Sequence, residues 1–238
     1  GSYVNEGSRI GNCSINNGNI KGEAAVGGLV GMISTTTIIY ESCTKDQLTI
    51  QGTTYVGGLI GFVFYTSASW QMASKTIEMS YSESKVVGQE YVGGITGYSE
   101  NGTYNDCFAN NEISGSSYVG GLFGYSKFDK TGLNDILNCH FTGTGSKFNS
   151  IIGRSTTSYE SGTKLRNYYF DSEATGIKVP EEHAKTTIQL KQRATYANYD
   201  FNNTWAIDEG ESCAYLKVLQ NYETEEERNA PGTINNPH

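Results

Sequence analysis

Proline is almost missing from the chain. Pro180, Pro231 and Pro237 are the only three, so nothing before residue 180 lacks the backbone donor that a strand ladder needs. Charge is sparse at 18%, and the formal balance of −8 argues against nucleic acid and anionic membrane surfaces as partners. No apolar run approaches the length of a membrane span, so no membrane insertion is expected. A secretory signal is absent too, but the opening Gly1-Ser2 reads as a cloning remnant, which makes that absence uninformative. The five cysteines include no Cys-x-x-Cys pair, and His140, His183 and His238 share no ligand spacing; neither a metal nor a cofactor is expected. The Gly-Gly-x-Gly-x-Asp repeat of calcium-binding solenoids is also missing, because a hydrophobic residue follows each Gly-Gly.

What the chain has is glycine, tyrosine and a repeat, with 29 glycines and 17 tyrosines in 238 residues. Val26-Gly27-Gly28-Leu29-Val30-Gly31 returns at Val56–Gly61, Val92–Gly97 and Val119–Gly124, preceded by tyrosine in the last three and by Ala25 in the first. A worn fifth copy runs from Phe148 to Gly153 without the paired glycines. The steps between copies are 30, 36, 27 and 29 residues, the length of one supersecondary unit.

Each period carries two further apolar segments. One carries Cys or Tyr at an equivalent place near its end (Ile10–Cys13, Ile39–Cys43, Ile77–Tyr81, Tyr104–Phe108, Ile136–Phe141), and the other is an apolar residue shortly before glycine (Ile20-Lys21-Gly22, Ile50-Gln51-Gly52, Val86-Val87-Gly88, Ile113-Ser114-Gly115). Three short strands per period point to a coil with three faces, and the chain is read as an all-β parallel β-solenoid of about five coils. Stacking should align Val26, Val56, Val92 and Val119 in one inward column and Leu29, Leu59, Ile95 and Leu122 in another. Glycine at the block is explained by a corner that needs either φ > 0 or close backbone approach. Cys13, Cys43, Cys107 and Cys139 are read as one repeating position shared with Tyr81, either as buried free thiols or with some pairing between neighbouring coils.

Residues 1–176 are assigned to the repeats, 177–221 to a C-terminal cap and 222–238 to an acidic tail. A capping box of Thr186 and Gln189 predicts a short helix over 186–194 in that cap. An atypical, aromatic-rich end is what a solenoid needs to hide its last open strand edges.

The Gly-Gly-Leu-Val-Gly block with its upstream Asn-Cys segment resembles the GLUG-motif family. The ending Thr186–Leu190, Tyr199-Asp200-Phe201, Trp205-Ala206-Ile207, Glu209-Gly210 and Tyr215-Leu216 is similar to the segment that closes such arrays. The resemblance covers residues 10–219, and Cys213-Ala214 departs from the aromatic and proline usual in that ending. It implies a right-handed parallel β-helix in a secreted or cell-surface bacterial protein, as in adhesin-like proteins and the non-catalytic region of immunoglobulin A proteases. The expected function is therefore non-enzymatic: a monomeric domain of a longer chain, binding a host or surface glycan or protein, or serving as a stalk. A polysaccharide-acting β-helix enzyme and a pure spacer for a catalytic domain are the alternatives. For the first of these the sequence offers only single carboxylates such as Glu41 and Asp106 among Ser and Asn. Candidate ligand-binding residues are Phe64, Tyr65 and Trp70, on the insertion that makes one period 36 residues long, and Tyr125 and Phe128 at the equivalent exit of the fourth block.

Overall fold

The computed structural model describes residues 3–4, 8–64, 76–127, 135–155, 164–178 and 182–219. Within them the chain winds into a parallel β-solenoid with three faces. The first face stacks six rungs: Arg9–Gly11, Ile38–Tyr40, Ile77–Glu78, Tyr104–Asn105, Asp135–Leu137 and Lys164–Arg166. The second begins with Ser14–Lys21 and Cys43–Gln51 and divides each of the next three rungs into two short strands, for example Tyr81–Ser82 and Lys85–Val87, before the single strand Tyr169–Asp171. The third carries the glycine blocks, with Thr54–Gly57 and Ile60–Phe64 as the rung of the second coil and Ser117–Lys127 continuous in the fourth.

The inward columns follow the repeat. Val26, Val56, Val92 and Val119 are paired in register, and Leu29, Leu59, Ile95 and Leu122 are joined rung to rung by backbone bonds of 2.9–3.0 Å. In the second coil Ile39, Leu48, Ile50, Val56, Leu59, Ile60 and Val63 are all buried. Each such side chain contributes roughly 1.5–3 kcal/mol only when a neighbouring coil covers it, so the coil is stable as part of a stack and not alone.

Two details of the sequence reading are corrected. The segment Ile39–Cys43 is not one strand: Ile39 and Tyr40 lie on the first face, Glu41 turns the corner with φ 47°, and Cys43 begins the second. The same left-handed corner recurs at Asn12, Met79, Asp106, Asn138 and Asn167. The cysteines therefore fall into two neighbouring columns. Cys13, Cys107 and Cys139 align with Ser42, Ser80 and Tyr168, whereas Cys43 aligns with Ser14, Tyr81, Phe108, His140 and Tyr169. The first column explains why serine and cysteine interchange. Each side chain bonds the carbonyl two residues back across the corner: Ser42 to Tyr40 and Ser80 to Glu78 at 2.8 Å, Cys107 to Asn105 and Cys139 to Leu137 at 3.3 Å. All five thiols are free.

The glycine pair works by close approach. A Cβ on Gly58 would collide with the carbonyl oxygen of Gly94 in the next coil, and one on Gly61 with the backbone of Ala25 in the coil before. Positive φ is carried instead by the residue ahead of the block: Ala25, Tyr55, Tyr91 and Tyr118, at 52–55°. In the fifth block Asn149 and Ser150 replace the pair, and the register against the fourth coil shifts there.

After the sixth rung Asp171 caps a single helical turn, Ser172–Thr175, accepting from the amides of Glu173 and Ala174. Ala184–Lys185 then adds one more parallel rung to the second face. The capping box of Thr186 and Gln189 is present, but the helix it starts is one turn long, Thr187–Leu190, followed by a 3-10 turn at Arg193–Thr195. The cap next folds back along the flank of the second face, beyond the end it was expected to seal. Trp205 is fully buried and rests 5.3 Å from the His140 ring and 6.2 Å from Phe108. Its indole donates to Asp106 at 2.9 Å, across 99 residues of sequence. Asp106 also receives the Asn138 amide at 3.0 Å; Asn138 receives that of Asn167 at 3.0 Å, and Asn167 that of Asn198 in the cap at 3.3 Å. A ladder of corner amides thus ties the cap to the coils.

Two outcomes are expected. Gly58→Ala should cost about 2–3 kcal/mol or more in a denaturant melt, because the obstacle is backbone, while Glu23→Ala at an exposed corner should cost little. Equal midpoints would remove close approach as the reason for the pair. Under native conditions Cys13 and Cys213, both half-buried, should react with a thiol reagent well before Cys43, Cys107 and Cys139, and fast labelling of Cys107 would contradict the column.

Candidate functional site

The left-handed bend at Tyr55, Tyr91 and Tyr118 lifts these side chains out of the third face while the following valines turn inward. Each bend is a conformation that a bulky residue adopts at a cost of about 1–2 kcal/mol. The rings then stack along the solenoid axis, Tyr55 on Tyr91 at 5.1 Å and 16°, Tyr91 on Tyr118 at 4.9 Å and 15°. Stacking of this kind returns about 0.5–1.5 kcal/mol per pair.

A second aromatic column stands beside the first. The residue after each closing glycine is Met32, Phe62, Tyr98, Tyr125 and finally Arg154, paired rung by rung. Phe62 and Tyr98 are 4.9 Å apart, and Tyr98 and Tyr125 are 4.8 Å apart at 12°. Edge contacts close the gap between columns, for example Tyr55 to Tyr98 at 5.4 Å and Tyr91 to Tyr125 at 5.5 Å. The Arg154 guanidinium ends the platform with a 2.7 Å bond to the Tyr118 hydroxyl.

All six rings are half-buried. Their faces cover one another, so what they offer solvent is edges and phenol oxygens. Burial and the charge of Glu100 push Tyr98 up to about 12, and burial and Glu90 raise Tyr91, so both phenols stay protonated donors at neutral pH.

Of the residues singled out in the sequence, Tyr125 belongs to this platform, and Phe64 lies next to it, 6.5 Å from Phe62. Tyr65, Trp70 and Phe128 lie outside the described residues. Tyr55, Phe62, Tyr91, Tyr98 and Tyr118 were missed as binding candidates. Their signal was present as the tyrosine before the second, third and fourth Val-Gly-Gly and the aromatic after the closing glycine of the same three blocks. Of the carboxylates offered for catalysis, Asp106 is committed to Asn105, Asn138 and Trp205. Among the described residues no group of three His, Cys, Asp or Glu is placed to hold a metal ion.

A second concavity, about 460 Å³, lies between the cap and the second face, with Glu83, Asn110 and Thr142 on the solenoid side and Asp208, Ser212 and Tyr215 on the cap side. His140 also lines it, fully buried, with Nδ1 3.4 Å from the Tyr199 hydroxyl. Burial lowers its pKa to about 3; the Ala214 backbone opposes this in part, without forming a hydrogen bond to Nε2. Between pH 3 and the free value of 6.5 the unfolded chain binds a proton that the folded one does not, so stability falls as pH drops through that window. His140→Phe, the residue its column carries at position 108, should remove this dependence. From pH 7 to 4.5 the wild type should lose about 2–3 kcal/mol more than the variant, measured by thermal melts, and parallel losses would refute the assignment.

Comparison with family models, with curated proteins and with solved structures gives no match to the chain.

Proposed function

We propose that the chain is a non-enzymatic, adhesin-like binding module of a secreted or cell-surface protein, and that the aromatic platform of the third face is its contact surface. The observation that carries this reading is the double column of half-buried rings, held in register on a rigid ladder. Tyrosine combines large contact area with a polar tip and little rotamer entropy to lose, and here stacking has already removed most of that entropy. Because the ring faces are occupied by their neighbours, the surface suits a partner that meets edges and hydroxyls on a flat front. A protein fits that description better than a sugar seeking an open ring face. The resemblance to the GLUG-motif family supports a surface location, and the balance of −8 disfavours nucleic acid. Among the described residues no helix is long and apolar enough to cross a membrane.

The test is an array of host and surface proteins and glycans, probed with the wild type and with Tyr98→Ala/Tyr125→Ala. The double variant should lose roughly 2 kcal/mol or more of affinity while still melting cooperatively, at a midpoint lowered by the lost stacking. A Tyr98→Phe variant, which keeps the stack, separates loss of the hydroxyl from loss of the ladder. Undiminished binding by the double variant would move the site elsewhere, and no ligand at all would favour the spacer reading.

A further inference from the structure

The cleft between the cap and the second face lies apart from the aromatic platform and stands whether or not that platform binds anything. Its solenoid wall is a column like the others. The rung pairing places Lys45, Glu83, Asn110, Thr142 and Asp171 one above another, since the residues before them are paired as Thr44, Ser82, Ala109, Phe141 and Phe170. Backbone bonds from Glu83 to Thr44, from Asn110 to Ser82 and from Thr142 to Ala109 continue the register through the column. Hydrogen-bonding side chains therefore repeat along the axis at one strand spacing, roughly 4.8 Å.

The opposite wall comes from the cap, with Asp208, Ser212 and the half-buried ring of Tyr215. Among the described residues lining the cleft there is no lysine or arginine, Lys45 standing one rung beyond it in the column; acceptors do line it, namely the carboxylates of Glu83 and of Asp208, the latter already bonded by the Tyr215 hydroxyl, and the side-chain oxygens of Asn110 and Thr142. Asp171 is already spent on the amides of Glu173 and Ala174 and on the Thr187 hydroxyl at 2.7 Å. His140, fully buried among the lining residues, leaves Nε2 without a hydrogen-bond partner, which is unusual for a polar atom at that depth. Partial desolvation and the nearby Asp46 hold the Glu83 carboxyl above its ordinary range, opposed by the Asn110 amide and Lys45, although the side chain still reaches solvent. A second opening of about 360 Å³ shares Glu83 with the first and is lined also by Asp46, Glu112 and Lys85, the last two paired with one another at 2.6 Å.

We propose that this cleft is a binding site for an uncharged linear glycan lying along the solenoid axis, its hydroxyls donating to Glu83 and Asp208 and accepting from Asn110 and Thr142. Three features select that ligand. Within the cleft itself two carboxylates face no lining cation, Lys85 nearby being paired with Glu112, so the site calls for a donor-rich ligand and repels uronates and sulfated sugars. Spacing them along a column, instead of around one point, suits repeating hydroxyls better than a single ammonium group. The volume is in the range of small-ligand sites and has room for a ring against Tyr215.

The experiment is a glycan array of neutral, amino-bearing and acidic oligosaccharides, followed by calorimetry with the neutral glycan retained best. Tetralysine serves as the competing cationic peptide. Uncharged glycans should be retained and acidic ones not. Glu83→Gln and Asp208→Asn, both at exposed positions and with melting temperatures checked, should each weaken binding at least tenfold. Tyr98→Ala/Tyr125→Ala on the other face should leave it unchanged. The proposal is overturned if no uncharged glycan binds, if acidic glycans bind better, or if tetralysine binds in their place. Unaltered affinity in Glu83→Gln, or a loss confined to the platform variant, overturns it as well.

Discussion

Backbone packed against backbone is the constraint on which the rest depends. At the glycine blocks the carbonyl oxygen of one coil occupies the place where a Cβ of the next would sit, as Gly94 does against Gly58. Coils held that close have one register available to them, and every column follows from it: valines and leucines inward, hydroxyls and thiols over the corners, tyrosines outward. The fifth block shows the same constraint from its failure, since the register slips where Asn149 and Ser150 stand.

Each column has a separate chemistry because each meets a different requirement one rung at a time. The corner residue needs a left-handed backbone and a side chain that reaches its neighbour, which asparagine and aspartate supply at 106, 138 and 167. The residue after it is, in five of six rungs, a serine or cysteine that donates to the carbonyl two positions back, a thiol at 3.3 Å occupying the place of a hydroxyl at 2.8 Å. The next column accepts large rings because the cap covers it. Tyr81 and Phe108 stack at 4.6 Å, and Phe108 and His140 at 5.2 Å, before Trp205 closes over them. The neutrality of His140 is a product of that cover.

The three faces, the inward columns and the capping box at Thr186 were legible in the sequence because each rests on spacing or on a local hydrogen bond. The corner between Tyr40 and Cys43 was not, since Glu41 and Met79 bear no mark of a left-handed backbone. The placement of the cap was hidden for another reason: it depends on Asp106 meeting Trp205, and pattern reading has no access to a contact 99 residues apart. For the site, Tyr125 was found through its loop, whereas Tyr91 and Tyr98 passed as ordinary strand residues. An exposed ring on a strand acquires significance when the rung above carries another in register, which is a property of the stack.

Length variation between the copies of the repeat is largest in one place. The strand of the third face ends at Phe64, Lys127 and Ser155, and the first face resumes at Ile77, Asp135 and Lys164, so the connection between them differs from coil to coil. Elsewhere the differences are small: the Cys43–Gln51 rung holds two residues more than the Tyr81–Val87 rung beside it and absorbs them around the left-handed Asp46, so that the columns on either side stay in phase. Such a chain can diversify in two ways without unfolding: by adding or removing whole coils, or by rewriting that one connection, whose attachment points recur along a single edge of the solenoid. Its repeats therefore behave as a ruler with an editable margin.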